Sequence, residues 1–222
     1  MISNGLRAAY YALTAPLMRA NGALYRAIRA PRSGYHKVHL GPGQRNYLDG
    51  WINVDANIVS AKLDIWADLR HPLPFRDNTV DVLYSHHVIE HLGSMDRHFH
   101  EAFRVLKPGG VYRVAGPDGD NAIEMFRQNR MDWFSHNPEP RTSIGGRLDN
   151  FIMCARDHYA ILTRSFVQEL LENAGFVNVT VQEPIRKSSR PDLFGEAMAT
   201  EFEVDFEHTH TLVLEAEKPA AA

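Results

Sequence analysis

Two periodicities share this chain. Residues 37–40, 52–55, 80–84 and 111–115 are short runs rich in β-branched, aromatic or other apolar side chains, the pattern of buried strands. Residues 96–106 follow a helical period instead. Phe99, Ala102, Phe103 and Leu106 fall on one face, and Lys107-Pro108-Gly109-Gly110 is expected to end the helix. A second helix is predicted over 163–174, capped by Thr163 or Ser165 and closed by Gly175. Residues 177–182 and 209–217 alternate and read as a late strand pair. Strands alternating with helices predict an α/β fold with a doubly wound, mostly parallel sheet and an antiparallel C-terminal strand. Ligands of such sheets bind outside the carboxyl ends of the strands. Gly41–Gly43, Asp55, Ser85–His87 and Gly116–Asp118 all fall at predicted strand ends.

Composition narrows the class. A chain of 222 residues with 44% hydrophobic and 23% charged residues suits one soluble domain. The net charge of −3 lacks the basic excess of a general nucleic-acid binder, so no nucleic-acid partner is expected. The single cysteine, Cys154, excludes an intrachain disulfide and a cysteine-rich zinc site, and points to a reducing, cytoplasmic setting. No apolar run approaches the roughly 20 residues that span a bilayer, and no signal peptide is evident.

Charge is unevenly placed. Arg7, Arg19, Arg26, Arg29, Arg32, Lys37 and Arg45 precede the first acid, Asp49. Residues 1–34 therefore read as a basic helical segment ahead of a domain over 35–218, with 219–222 a frayed tail. Pro16 and Gly22 predict a break in that helix. Three readings stay open: a helix packed on the domain that helps cover the ligand site, a transit peptide, or an amphipathic helix in peripheral contact with an anionic membrane.

The glycines of Gly41-Pro42-Gly43 let backbone approach a ligand, and an acid at the end of the second strand suits ribose hydroxyls. A dinucleotide fingerprint needs a third glycine and an acid roughly 20 residues further on. Here the loop continues Gln44-Arg45-Asn46 and Asp55 follows too soon for a crossover helix, which disfavours a nicotinamide enzyme.

Six segments then share an order with one family. They are His39-Leu40-Gly41-Pro42-Gly43, Gly50-Trp51-Ile52-Asn53-Val54-Asp55, residues 67–75, residues 84–92, Arg104-Val105-Leu106-Lys107-Pro108-Gly109-Gly110 and Gly116-Pro117-Asp118. Together with His158 and Asn173-Ala174-Gly175-Phe176, they resemble the class I S-adenosylmethionine-dependent methyltransferases, closest to a type-11-like branch with a shortened first crossover. The resemblance implies a Rossmann-like sheet, S-adenosylmethionine as cofactor and methyl transfer to a small-molecule acceptor. By position, Gly41 and Gly43 would flank the amino-acid part of the cofactor and Asp55 would hold the ribose. Asp68 and Leu69 would flank the adenine, and Ser85 and His86 would lie past the third strand, near the sulfonium. Arg45 departs from the family, where many relatives have a third glycine. Were the acceptor a hydroxyl, His86, His91 and Asp118 are the candidate bases. The resemblance calls for no metal.

Two rivals remain. His87-Val88-Ile89-Glu90-His91 fits the H-x-x-E-H pattern of zinc peptidases, with Glu90 as base and Glu169 or Glu172 as a further ligand. A methyltransferase-like module that binds without catalysis is the other. His98 and His100 do not share a helix face and are expected at the surface. Residues 121–150 and 186–206, which break the regular pattern, are expected to select the acceptor.

Overall fold

The computed structural model describes residues 4–221. Seven strands form one sheet in the order β3-β2-β1-β4-β5-β7-β6. They are β1 (Lys37–Leu40), β2 (Ile52–Asp55), β3 (Ile65–Trp66), β4 (Val80–His86), β5 (Leu106–Pro117), β6 (Val177–Gln182) and β7 (Thr211–Glu217). Strands β1 to β5 are parallel, whereas β7 runs antiparallel to both β5 and β6. Topology reverses between β1 and β4, where open α/β sheets hold ligands.

Helices α2 (Met95–Val105) and α5 (Arg164–Asn173) cover one face. Phe99, Ala102, Val167 and Leu171 meet Leu40, Leu83, Tyr112 and Val114 in a single apolar cluster. Thr163 caps α5 with its hydroxyl, as its position predicts. The opposite face is covered differently. No helix connects β1 to β2, and Leu48 and Trp51 from that connection pack with Phe194, Ala197 and Met198 of α6 (Pro191–Met198) against Val82, Tyr84 and Val111. Asn53, wholly buried on β2, makes the short connection hold. Its side-chain amide donates to the carbonyls of Leu48 (2.9 Å) and Trp51 (3.0 Å), and its Oδ1 accepts the Leu48 N–H (3.1 Å). A third cluster joins α3 (Gly119–Arg127) and α4 (Ile144–Met153) through Ala122, Met125, Trp133 and Phe134.

Several expectations are corrected. Helix α1 (Asn4–Leu24) is unbroken and runs into a π-turn over Tyr25–Arg29. Gly22 is buried there: its Cβ position would lie 3.8 Å from Ala67 and 3.9 Å from Pro74, so a small residue is what close packing on the domain requires. Pro16 and Ala12 are on the exposed side, where water can take the carbonyl that the proline leaves unpaired. Residues 107–110 end α2 but lie within β5, because Gly109 and Gly110 pair with Lys218 beyond β7. Strand β4 extends to His86, so Ser85 and His86 are in the strand rather than past it. The segments 121–150 and 186–206 contain most of α3, α4 and α6, whose apolar stripes are short and interrupted.

Candidate functional site

The first turn of the site is Gly41-Pro42-Gly43, which leaves β1. Gly41 (φ 73°) and Gly43 (φ 58°) both have left-handed backbone, and a Cβ on Gly41 would sit 2.4 Å from Val88 Cγ2. Asp55 closes the loop from β2: its Oδ2 accepts the Gly43 N–H (2.9 Å) and its Oδ1 accepts the Asn57 N–H (2.8 Å). The glycine turn borders a cleft of about 470 Å³, lined by residues 41–46, His86, His87, Thr200 and Phe202. That volume is within the roughly 300–1,000 Å³ of small-molecule sites. Arg45 stands in its wall.

A second cavity of about 330 Å³ lies where α1 crosses the segment after β3, between Met18, Arg19, Ala23 and Arg26 on one side and Ala67, Asp68, His71 and Pro72 on the other. Tyr10 and Asn21 fix the helix there, donating to the carbonyls of Ala56 (2.6 Å) and Trp66 (2.8 Å). Asp68 is almost fully buried and both its oxygens accept from the Arg70 guanidinium (2.7–3.2 Å). Burial opposes ionisation, but the Arg70 hydrogen bonds outweigh it and hold the carboxyl below its ordinary range. Leu69 is buried beside it.

The remaining predicted residues separate. Ser85 is fully buried and shares a 2.8 Å hydrogen bond with Tyr112 Oη, which also bonds His98 Nε2 (3.0 Å). That chain of contacts corrects two expectations: Ser85 is committed to the core, and His98 is a core residue while His100 is exposed. His86 borders the cleft. Its Nε2 is buried without a partner, and burial, then the neighbouring His87, push its pKa down to about 2. It stays neutral at physiological pH but is a poor proton acceptor. His91 hydrogen-bonds the Asp157 carbonyl (3.0 Å) and does not line the cleft. Asp118 is the N-cap of α3, accepting from the Asn121 N–H (2.9 Å) and side chain (3.1 Å).

His87, placed on sequence only at a strand end and in the H-x-x-E-H pattern, proves to be a cleft residue. It has a left-handed backbone (φ 54°), lines the cleft, and pairs through Nδ1 with Glu90 Oε1 at 3.0 Å. Glu90 is fully buried, and the His87 hydrogen bond keeps its carboxyl low against strong desolvation. His87 and His91 do not present paired ligands from one helical face: Ile89–His91 is a single 3-10 turn. Glu169 and Glu172 are exposed on α5. The H-x-x-E-H peptidase arrangement is therefore not formed.

Arg113, on the central strand β5, was invisible to pattern reading because it sits within an otherwise apolar run. It is wholly buried and bonds Glu201 (2.8 and 2.9 Å), Glu215 (2.6 Å) and the Lys187 carbonyl (3.1 Å). Through Glu201 it anchors the segment that carries Thr200 and Phe202 over the cleft.

Strand order, reversed topology and a glycine turn facing an acid at the carboxyl edge define the class I methyltransferase fold. Residues 51–114 match the model of a family described as a methyltransferase domain. Over that stretch the chain is similar to class I S-adenosylmethionine-dependent methyltransferases of the type-11 branch. A Mycolicibacterium smegmatis protein described as a "Probable S-adenosylmethionine-dependent methyltransferase" is 46% identical over 113 residues, covering 49% of this chain and 35% of its own. The ubiquinone/menaquinone biosynthesis C-methyltransferase of Roseobacter denitrificans is 27% identical over 150 residues, covering 66% of this chain and 59% of its own. The chain spans 21% to 59% of the length of the curated relatives it matches. The structure of a SAM-dependent methyltransferase from Thermotoga maritima aligns with TM-score 0.54 at 15% identity, over 97% of this chain and 96% of that one. Phosphoethanolamine N-methyltransferase 2 of Haemonchus contortus, in complex with S-adenosyl-L-methionine, aligns with TM-score 0.51 at 16% identity, over 90% of this chain and 52% of that one. At such identities the likeness is one of fold.

Proposed function

We propose that this chain transfers a methyl group from S-adenosylmethionine to a small-molecule acceptor. The observation that carries the reading is the cleft at the β1–β4 edge, where the left-handed Gly41–Gly43 turn, held by Asp55, meets His86. The donor set fits the cofactor. The glycine turn offers close backbone approach, and each Asp55 oxygen keeps a lone pair for a ribose hydroxyl. Leu69 supplies an apolar flank for an adenine, while Asp68 must share its oxygens with Arg70. When bound, the sulfonium supplies an already activated methyl group. The protein's work is then to align a nucleophile and exclude water.

His87 is our choice of base for an acceptor that must lose a proton. Its Nδ1–H is donated to Glu90, which fixes the ring and leaves Nε2 as the proton acceptor; Glu90 acts as a positioning residue. His86, weakly basic and unpartnered at Nε2, is suited to hydrogen-bonding a ligand instead. Thr200 and Phe202, which border the cleft, are our choice for its acceptor side.

Calorimetry with S-adenosylmethionine tests the cofactor site. Wild-type protein should bind saturably, and Asp55→Ala should weaken binding by about tenfold or more, since it removes the ribose acceptor and frees Gly43. A folded wild type that binds nothing would instead favour a module that acts through partners. Once an acceptor is found, His87→Gln should lower kcat with little change in cofactor affinity.

The finer reading of α1 is peripheral contact with an anionic membrane. Its inner side is fixed by Tyr10, Met18 and Gly22, yet Leu13 (76% exposed), Leu17, Leu24 and Ile28 form a second apolar stripe open to solvent. The helix has no acid; of its cations, Arg19 and Arg26 border the cavity on the inner side, while Arg29 is exposed.

A further inference from the structure

Glu90, His91 and His158 come together beside the cleft from two separated segments. One ligand atom from each lies within 4.8 Å of the other two. The tautomers are set by backbone carbonyls: His91 Nδ1 donates to Asp157 O (3.0 Å) and His158 Nδ1 donates to Ile152 O (2.8 Å). Each ring therefore keeps the lone pair of Nε2. The rings meet edge to face with centroids 4.8 Å apart. A histidine whose other nitrogen is held by a carbonyl is the usual arrangement around a bound metal.

Glu90 supplies an independent sign. The side chain is fully buried, Oε1 is taken by His87, and Oε2 is buried with no hydrogen-bond partner. A buried carboxylate oxygen without a partner costs free energy comparable to a lost charge-assisted hydrogen bond. The two segments are already joined by the Tyr159 N–H to Glu90 O bond (2.8 Å).

We infer that Glu90, His91 and His158 form a binding site for one divalent first-row transition ion, best suited to zinc(II). Two imidazoles and a carboxylate match zinc's preference for nitrogen and oxygen donors, and three protein ligands leave a fourth position open. Glu90 would then join the ion through Oε2 to His87 through Oε1, so that occupancy fixes the cleft wall. The site differs from the H-x-x-E-H arrangement: His87 is not a ligand, and the second histidine comes from residue 158.

The test uses the full chain stripped with a chelator, then titrated with zinc(II) by calorimetry and with cobalt(II) by visible absorption. One equivalent should bind, and cobalt(II) should show the intense d–d bands of a low-coordinate site. Glu90→Gln and His158→Ala should each weaken binding on the order of 100-fold, given that even supporting residues are worth 10–100-fold. His100→Ala, at an exposed histidine, should leave it unchanged. Failure of the wild type to bind, or unchanged binding in both variants, overturns the site. Should the variants not fold, X-ray absorption of the zinc-loaded wild type decides. Two imidazoles plus oxygen support the assignment; any other histidine count overturns it. Cofactor binding is measured separately, so a failure here leaves that reading standing.

Discussion

Asp118 shows how a strand-end acid can be structural. Its position after β5 makes it a candidate base on sequence, because nothing local distinguishes a catalytic acid from a helix cap. The structure uses it to cap α3, and burial, reinforced by Asp120 against the Asn121 hydrogen bond, pushes its pKa from 3.8 up to about 6. The folded state thus disfavours the charged form. That cost is absent below about pH 4, grows as pH rises to about 6, and is constant above. Asp118→Asn should therefore gain stability relative to wild type by roughly 1–3 kcal/mol between pH 4 and pH 7, whatever its offset at pH 4. Denaturant melts at the two pH values check this; an equal difference at both would place the ionisation elsewhere. Asp55 and Gly41 were legible at this scale because their chemistry is positional. His87, Arg113 and Asn53 were not, since the role of each is set by partners distant in sequence or by burial.

At the scale of elements, the strands were read most faithfully. β1, β2 and β6 have the predicted bounds, each being a short run between turns. Helices α3, α4 and α6 were missed, having short stripes and caps such as Ser143 that are apparent only once the helix is known. The segment leading out of α6 depends on the Arg113 cluster, where one guanidinium serves two buried carboxylates. Glu215 has further donors in Ser188 Oγ (2.6 Å) and Ser189 N (2.7 Å), and Glu201 has the Ile185 N–H (2.7 Å). Arg113→Met leaves both carboxylates without their cation, which costs about 3–5 kcal/mol for a broken buried pair. Equilibrium unfolding should show that loss, and amide exchange should rise first over residues 183–206. Adding Glu201→Gln to Arg113→Met should recover part of it. A double variant no more stable than the single one would mean that packing of the arginine stem, not its charge, holds the segment.

For the whole molecule, net charge misleads. The chain is at −3 overall, yet seven cations precede its first acid, so the basic end opposes an acidic remainder. α1 is fixed to the β3 edge by Tyr10, Asn21 and Gly22, which holds its exposed Leu13, Leu17 and Ile28 in one orientation. No helix among the described residues is long and apolar enough to cross a membrane, and the contact argued here is a surface one. Anionic lipid attracts each nearby cation by about 1 kcal/mol at moderate salt, and burying the apolar stripe adds to that. Neither contribution alone gives firm binding, but the two together do. Protein should therefore sediment with phosphatidylglycerol vesicles and not with pure phosphatidylcholine, and binding should fall as salt shortens the Debye length. Leu13→Gln with Leu17→Gln should abolish it while leaving S-adenosylmethionine affinity intact, because neither residue lines a cavity of the site. Equal binding to neutral vesicles would reduce the basic end to a bystander. No binding to either kind would leave α1 as a strap across the sheet edge beside Asp68 and nothing more.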